Sequence, residues 1–146
     1  MSDTLKKALA LLPHGAEFRF IERLVSLEPG CYGTAQYTVR GDEPFLRGHF
    51  PGHPLLPGVL LVEAAAQLAG VVAQSDPKIG PLPGLKLTAL RSVKIVGSAV
   101  PGEVLHLEAR VTGRLGNLIQ TDVNASVKSQ IVMTGQLTLS GEGISA

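Results

Sequence analysis

The chain has 146 residues, of which 45% are hydrophobic and 17% are charged, and this composition predicts one core-forming domain over 1–146 rather than a disordered chain. Its 13 Lys and Arg nearly balance its 12 Asp and Glu, for a formal net charge of +1, and without a basic run longer than Lys6-Lys7 we exclude nucleic acid as a partner. The single Cys31 excludes an internal disulfide and a multi-cysteine metal site, and we interpret it as a small core residue.

The first third of the chain predicts a short helix, two strands and a loop. The helix covers 4–12 and ends at Pro13. Apolar residues over 18–27 predict the first strand, and looser alternation over 32–39 predicts the second. Four prolines and several glycines over 41–57 preclude regular structure and predict a loop.

The strongest prediction is a helix over 58–74, with Pro57 suited to its first turn. The helix is apolar on all sides, which predicts burial on most of its surface. Within 59–73 its two polar side chains, Glu63 and Gln67, lie four residues apart and share one face. This segment is too short and too polar to cross a bilayer. Because the N-terminus also lacks the features of a secretory signal, we expect a cytoplasmic protein without a membrane partner.

Four further strands are predicted over 85–96, 103–112, 118–128 and 131–139. The breaks between them are short, so we expect consecutive strands to pair antiparallel. The class is therefore α+β, with one long helix against a sheet of about five to seven strands.

The polar residues around the long helix suggest acid–base chemistry. A buried Glu63 is explained either as a structural group satisfied by Gln67 and backbone or as a general acid. His49 lies in the rigid loop that leads into the helix, and a neutral His there is a candidate base. The amides of Gly58 and Val59 open the helix, where unpaired donors favour a developing negative charge. Such a set can remove a proton beside a carbonyl and expel a leaving group.

Other candidate sites are weaker. His49 and His53 have the spacing of a helical metal pair, but Pro51 and Gly52 exclude a helix there, so we predict no metal. We interpret His53 as a loop residue, and His14 and His106 as structural residues. The sequence contains no Gly-x-Ser-x-Gly elbow and no phosphate-binding glycine loop.

One segment carries a family resemblance. Residues 44–67 read PFLRGHFPGHPLLPGVLLVEAAAQ, which resembles the signature of the 3-hydroxyacyl-acyl-carrier-protein dehydratases. The resemblance implies the hotdog fold, in which a strongly curved antiparallel sheet wraps around one long central helix. It also implies dehydration of a (3R)-3-hydroxyacyl thioester to the trans-2-enoyl thioester, without a metal or redox cofactor.

The resemblance assigns roles to individual residues. It implies that His49 removes the α-proton and that Glu63 protonates the departing hydroxyl. The amide of Gly58 would hold the thioester carbonyl, and Gln67 would orient Glu63. The implied assembly is a homodimer or a trimer of dimers, with the His of one subunit facing the carboxylate of the other.

The substrate is less well defined than the chemistry. Residues 81–90 lack the aromatics that line the acyl tunnel in the family, so both fatty acid synthesis and a specialised acyl or polyketide pathway remain open. Arg91 and Lys94 are the remaining candidates for binding an acyl carrier protein. The alternatives are a hotdog thioesterase and a non-catalytic acyl-carrier-binding subunit.

Overall fold

The computed structural model describes residues 2–46, 52 and 54–142. It contains helices α1, Asp3–Leu9, and α2, Gly58–Gln74, with 3-10 turns at Ala16–Phe18 and Pro44–Leu46. The strands are β1, Arg23–Glu28; β2, Tyr32–Thr38; β3, Lys86–Ile95; β4, Val104–Leu115; β5, Leu118–Val127; and β6, Gln130–Ser140. They form one antiparallel sheet in the order β1-β2-β4-β5-β6-β3, and α2 packs against it. This architecture confirms the predicted α+β class.

Helix α2 begins and ends at the predicted residues and lies at the centre of the core. Eleven of its 17 residues are buried, and Ala64 and Ala65 have no exposed surface. Small side chains at these positions let the helix backbone approach the sheet, whereas larger ones would overfill the space. Among the described residues, no helix is long and apolar enough to span a membrane.

Strand β2 approaches α2 closely at Gly33. A Cβ atom added there would lie 2.7 Å from Cγ2 of Val72, which is fully buried and has a stiff, branched side chain. We therefore expect Gly33→Ala to lower the free energy of unfolding by about 1–3 kcal/mol through overpacking. Urea denaturation measures this, with Gly113→Ala as the control, because a Cβ at Gly113 meets no atom within 4 Å. Equal stability of the two variants would contradict the packing.

The prediction that Phe18 and Phe20 belong to the first strand is wrong, because β1 begins at Arg23. The backbone at Phe18 and Phe20 is bonded instead to the side chain of Gln67 on α2. The Phe20 N–H donates to Gln67 Oε1 and the Phe18 carbonyl accepts from Gln67 Nε2, both at 2.8 Å. This segment therefore follows the helix rather than the sheet.

The expected pairing of consecutive strands holds for β1–β2, β4–β5 and β5–β6 but fails for β3. That strand pairs with β6 and forms one edge of the sheet, while β4 pairs with β2. After β3, the amides of Val96 and Gly97 still donate to the Val132 carbonyl, and then Gly102 donates to Val39. The segment between β3 and β4 is thus hydrogen-bonded first to β6 and then to the residue that follows β2. It carries the chain from the β3 edge of the sheet to the position beside β2.

Smaller differences concern single residues. Helix α1 starts at Asp3 and ends at Leu9 rather than 12, with the Ser2 hydroxyl accepting from the Leu5 amide. Strand β4 continues to Leu115, three residues beyond the predicted end at 112. Cys31 is exposed rather than in the core, because it lies in the tight β1–β2 turn that its amide closes by donating to Glu28.

Candidate active site

The carboxylate of Glu63 faces a cavity of about 440 Å³ on one side of α2. Its side chain is 24% exposed, so the group is half-buried where the sequence predicted burial. The residues before and after Glu63 on the helix, Val62 and Ala64, are buried in the core. The carboxylate is thus placed to meet a molecule that enters the cavity.

Gln67 holds Glu63 from one helical turn away. Its Nε2 donates to Glu63 Oε1 at 3.2 Å and to the Phe18 carbonyl, and its Oε1 accepts from the Phe20 amide. The orientation of the amide is unambiguous, because only its oxygen can accept from Phe20 and only its nitrogen can donate to Phe18. Gln67 is 2% exposed, so its position is fixed on all sides.

His14 is a second neighbour of the Glu63 carboxylate, and we did not predict this role for it. Its Nε2 is 3.3 Å from Glu63 Oε1, and its ring stacks on Phe18 at a centroid distance of 6.1 Å. We predicted a structural residue, since nothing in the periodicity around His14 points to α2. One signal in the sequence was its position just after Pro13, where the first helix was expected to stop.

The cavity extends along one face of α2. The lining residues of the helix recur at helical spacing and end at Gln74, which is roughly 16 Å along the axis from Glu63 at the usual rise per residue. At that end, Gln74 and the backbone of Leu82 exchange two hydrogen bonds of 2.8 Å. The other α2 lining residues are Ala66, Gln67, Gly70 and Val71. The cavity therefore has a carboxylate at one end and a largely apolar wall beyond it.

Comparison with known proteins identifies the family. The family model of the FabA-like domain matches residues 12–136. The 3-hydroxyacyl-acyl-carrier-protein dehydratase FabZ of Ruminiclostridium cellulolyticum is 36% identical over 138 residues, covering 92% of this chain and 94% of the relative. FabZ of Clostridioides difficile is 35% identical over 139 residues, covering 92% of each. The chain belongs to the 3-hydroxyacyl-acyl-carrier-protein dehydratase family.

Solved structures confirm the hotdog fold of this dehydratase family member. A chain of the dehydratase heterocomplex ApeI:P from Xenorhabdus doucetiae superposes with a TM-score of 0.78 at 22% identity, covering 94% of this chain and 91% of that one. A hypothetical thioesterase with coenzyme A from Streptococcus pneumoniae superposes with a TM-score of 0.64 at 12% identity, covering 83% and 85%. These identities establish a shared fold only.

His49, the predicted base, lies outside the described residues, and so does His53, the predicted loop residue. Gly58 opens α2, and a Cβ there would lie 3.2 Å from side-chain atoms of Ile95 on β3. Val59 follows it and is 72% exposed. Neither Gly58 nor Val59 is among the described residues that line the cavity.

The predicted carrier-binding residues, Arg91 and Lys94, are exposed on the edge strand β3. They flank an irregularity in the pairing with β6, at which Ser92 has a φ of 51°. His106 is exposed on β4 with its Nδ1 3.4 Å from Gln36, away from the cavity. No three His, Cys, Asp or Glu side chains of the described residues are grouped as metal ligands.

A second buried carboxylate, Glu43, lies just before the loop that carries His49 in the sequence. It is 2% exposed and accepts from the Tyr37 hydroxyl at 2.6 Å and from the amides of Arg40 and Gly41. Burial opposes ionisation, but these hydrogen bonds outweigh it and hold the pKa of the Glu43 carboxyl below its ordinary value of 4.5. The same burial and the bond to Glu43 raise the pKa of the Tyr37 hydroxyl. The network ties the end of β2 to the 3-10 turn at Pro44–Leu46.

We expect Glu43→Gln to lower the free energy of unfolding by about 1–3 kcal/mol at neutral pH, because the amide cannot accept on both atoms. A depressed pKa in the folded state stabilises the protein above the unfolded pKa, and this contribution is lost as the pH falls through the folded value. The difference between wild type and variant should therefore shrink in acid, below about pH 4.5. Urea denaturation in neutral and acidic buffer measures it. The control is Asp42→Asn, since that neighbouring side chain is 79% exposed; a difference independent of pH would contradict the role of the Glu43 charge.

Proposed function

We propose that this protein removes water from a (3R)-3-hydroxyacyl thioester on acyl carrier protein and forms the trans-2-enoyl thioester, in fatty acid synthesis or a related specialised pathway. The observation that carries the proposal is Glu63, half-buried at one end of a largely apolar cavity and held by Gln67. The named relatives, dehydratases of this substrate class, support it at 35–36% identity over most of the chain.

The proposed reaction divides one elimination between a base and an acid. His49 accepts the proton from the carbon beside the thioester carbonyl, and the electron pair of that C–H bond moves towards the carbonyl. The amides of Gly58 and Val59 at the start of α2 stabilise the negative charge on the carbonyl oxygen. As the C=C bond forms, the C–O bond breaks and Glu63 transfers its proton to the hydroxyl, which leaves as water.

The orientation of Glu63 supports its assignment as the acid. The amide of Gln67 is fixed by two backbone groups, and it donates to only one oxygen of the Glu63 carboxyl. The other oxygen is left for a substrate hydroxyl. A group positioned in this way transfers a proton without first losing side-chain entropy.

The cavity beyond Glu63 is proposed to hold the acyl chain. Its wall along α2 is formed by small or apolar residues, Ala66, Gly70 and Val71, and its other wall includes Leu87 and Leu139. An extended acyl chain buries apolar surface there, which is favourable by about 25 cal/mol per Å². The bonded pair of Gln74 and Leu82 marks the far end.

The proposed assembly is a homodimer or a trimer of dimers, joined along β3. This edge strand has one side of its backbone unpaired within the described sheet. It also exposes apolar side chains, with Leu90 55% and Ile95 46% accessible to solvent. Exposed apolar edge strands are commonly covered by pairing with a second chain.

Arg91 and Lys94 on the same strand are proposed to contact the acidic carrier protein. The cytoplasmic location expected from the sequence stays a prediction.

The test is to incubate the purified protein with a 3-hydroxyacyl thioester of acyl carrier protein and to follow enoyl thioester and free thiol together. The proposal requires enoyl thioester without thiol. Thiol without enoyl product would assign a thioesterase instead, and binding of the carrier without either product at any chain length would assign a non-catalytic subunit.

A further inference from the structure

We propose that His14 is a positioning residue for Glu63, and that it determines which carboxyl oxygen carries the transferable proton. This inference rests on the proposed dehydratase function and adds to it a residue outside the signature segment. The contact that motivates it joins His14 Nε2 to Glu63 Oε1 at 3.3 Å.

The two neighbours of Glu63 converge on the same atom. Gln67 Nε2 donates to Oε1 at 3.2 Å, and His14 Nε2 lies 3.3 Å from the same oxygen. In a protonated carboxyl group one oxygen carries the proton and the other accepts hydrogen bonds. Because Gln67 donates to Oε1 and His14 Nε2 lies beside the same oxygen, the proton is left on Oε2, which is the oxygen that must meet the substrate hydroxyl.

The second nitrogen of His14 supports this assignment. Its Nδ1 is buried and has no hydrogen-bond partner among the described residues, although buried polar atoms are nearly always paired. A proton on Nδ1 would be a buried donor without an acceptor, which costs more than an unpaired lone pair. We therefore assign the proton to Nε2, which lies 3.3 Å from Glu63 Oε1. A purely structural role does not account for an unpartnered Nδ1 together with an Nε2 beside a carboxylate.

The surroundings hold the imidazole in this position. Its ring stacks on Phe18 with an interplanar angle of 28°, and the carbonyl of Phe18 accepts from Gln67. Arg19 donates to the carbonyl of Leu12, just before Pro13 and His14 in the chain. Both partners of Glu63 thus share one support, the segment between α1 and β1.

The test compares His14→Phe with His14→Gln in the dehydration assay. Phe keeps a ring that can stack on Phe18 but has no donor, whereas Gln places an N–H near the position of Nε2. We expect His14→Phe to lower kcat about 10- to 100-fold, with KM changed less than threefold, because an interaction that acts on the proton transfer affects kcat. His14→Gln should restore most of the lost kcat.

The outcomes separate this inference from the proposed function. A wild-type protein that forms no enoyl thioester overturns the dehydratase function and this inference with it. An active wild type together with an unchanged kcat for His14→Phe overturns the role of His14 alone. Equal losses in the Phe and Gln variants, or a rise in KM without a fall in kcat, also overturn it. Thermal unfolding of each variant identifies any loss of kcat that comes from unfolding, and a loss explained in that way counts against the positioning role.

Discussion

Replacing Glu63 with Gln should lower the rate of dehydration by roughly 100- to 10,000-fold, the usual contribution of a general acid. The amide has the same shape as the carboxyl group but no proton that it can transfer to a leaving hydroxyl. KM should change little, because the cavity wall beyond Glu63 stays intact. The measurement is the steady-state rate of enoyl thioester formation for wild type and variant.

A matched control removes a charge elsewhere on the molecule. Glu28 ends β1, is exposed and does not line the cavity, so Glu28→Gln should keep wild-type activity. Because Glu63 is 24% exposed, its replacement should leave the protein folded, and thermal unfolding checks this. A Glu63→Gln variant with activity within twofold of wild type would remove Glu63 from the mechanism.

Replacing Gly70 with Leu should restrict the protein to short acyl chains. Gly70 lines the cavity about two turns beyond Glu63, and a Cβ atom there meets nothing within 4 Å. A leucine side chain would therefore occupy the space proposed for the acyl chain. Forcing a long chain past it should cost about 1–3 kcal/mol, so kcat/KM for a 3-hydroxylauroyl carrier should fall about 10- to 100-fold. The value for a 3-hydroxybutyryl carrier should stay within about threefold of wild type.

Gly70→Ala is the control for the effect of the backbone. Alanine adds one methyl group to the cavity and favours the helix by about 1 kcal/mol relative to glycine. This variant should be more stable than wild type, with a nearly unchanged preference for chain length. If Gly70→Leu keeps the wild-type ratio of long-chain to short-chain activity, the acyl chain does not lie in this cavity.

Helix α2 could be predicted to the residue because its signals are local. A continuous apolar run, with Pro57 before it and a Pro- and Gly-containing segment after it, determines both its ends and its burial. The strands were found for the same reason, since they are rich in branched residues and separated by turns. The order of the strands in the sheet was not fully predictable, because the pairing of β3 with β6 depends on backbone contacts between segments that are distant in the sequence.

The same distinction applies to the candidate site. Glu63 and Gln67 could be paired from the sequence because positions four apart share a helix face. His14 could not be assigned, because its contact with Glu63 depends on how the segment after α1 packs on α2. The strand predicted at Phe18 and Phe20 failed for a related reason. An apolar pattern does not reveal that a distant glutamine side chain will take the backbone hydrogen bonds of that segment.

Dehydration by Glu63 is tested most directly in the reverse reaction. The protein is incubated with a trans-2-enoyl thioester of acyl carrier protein in water labelled with a heavy oxygen isotope, and the label is located by mass spectrometry. A catalyst of the elimination must also catalyse addition, so we expect label on the β-carbon of a carrier-bound 3-hydroxyacyl group, and far less of it with Glu63→Gln. Label found only in a released carboxylate, or no label in any product, would show that the protein is not a dehydratase.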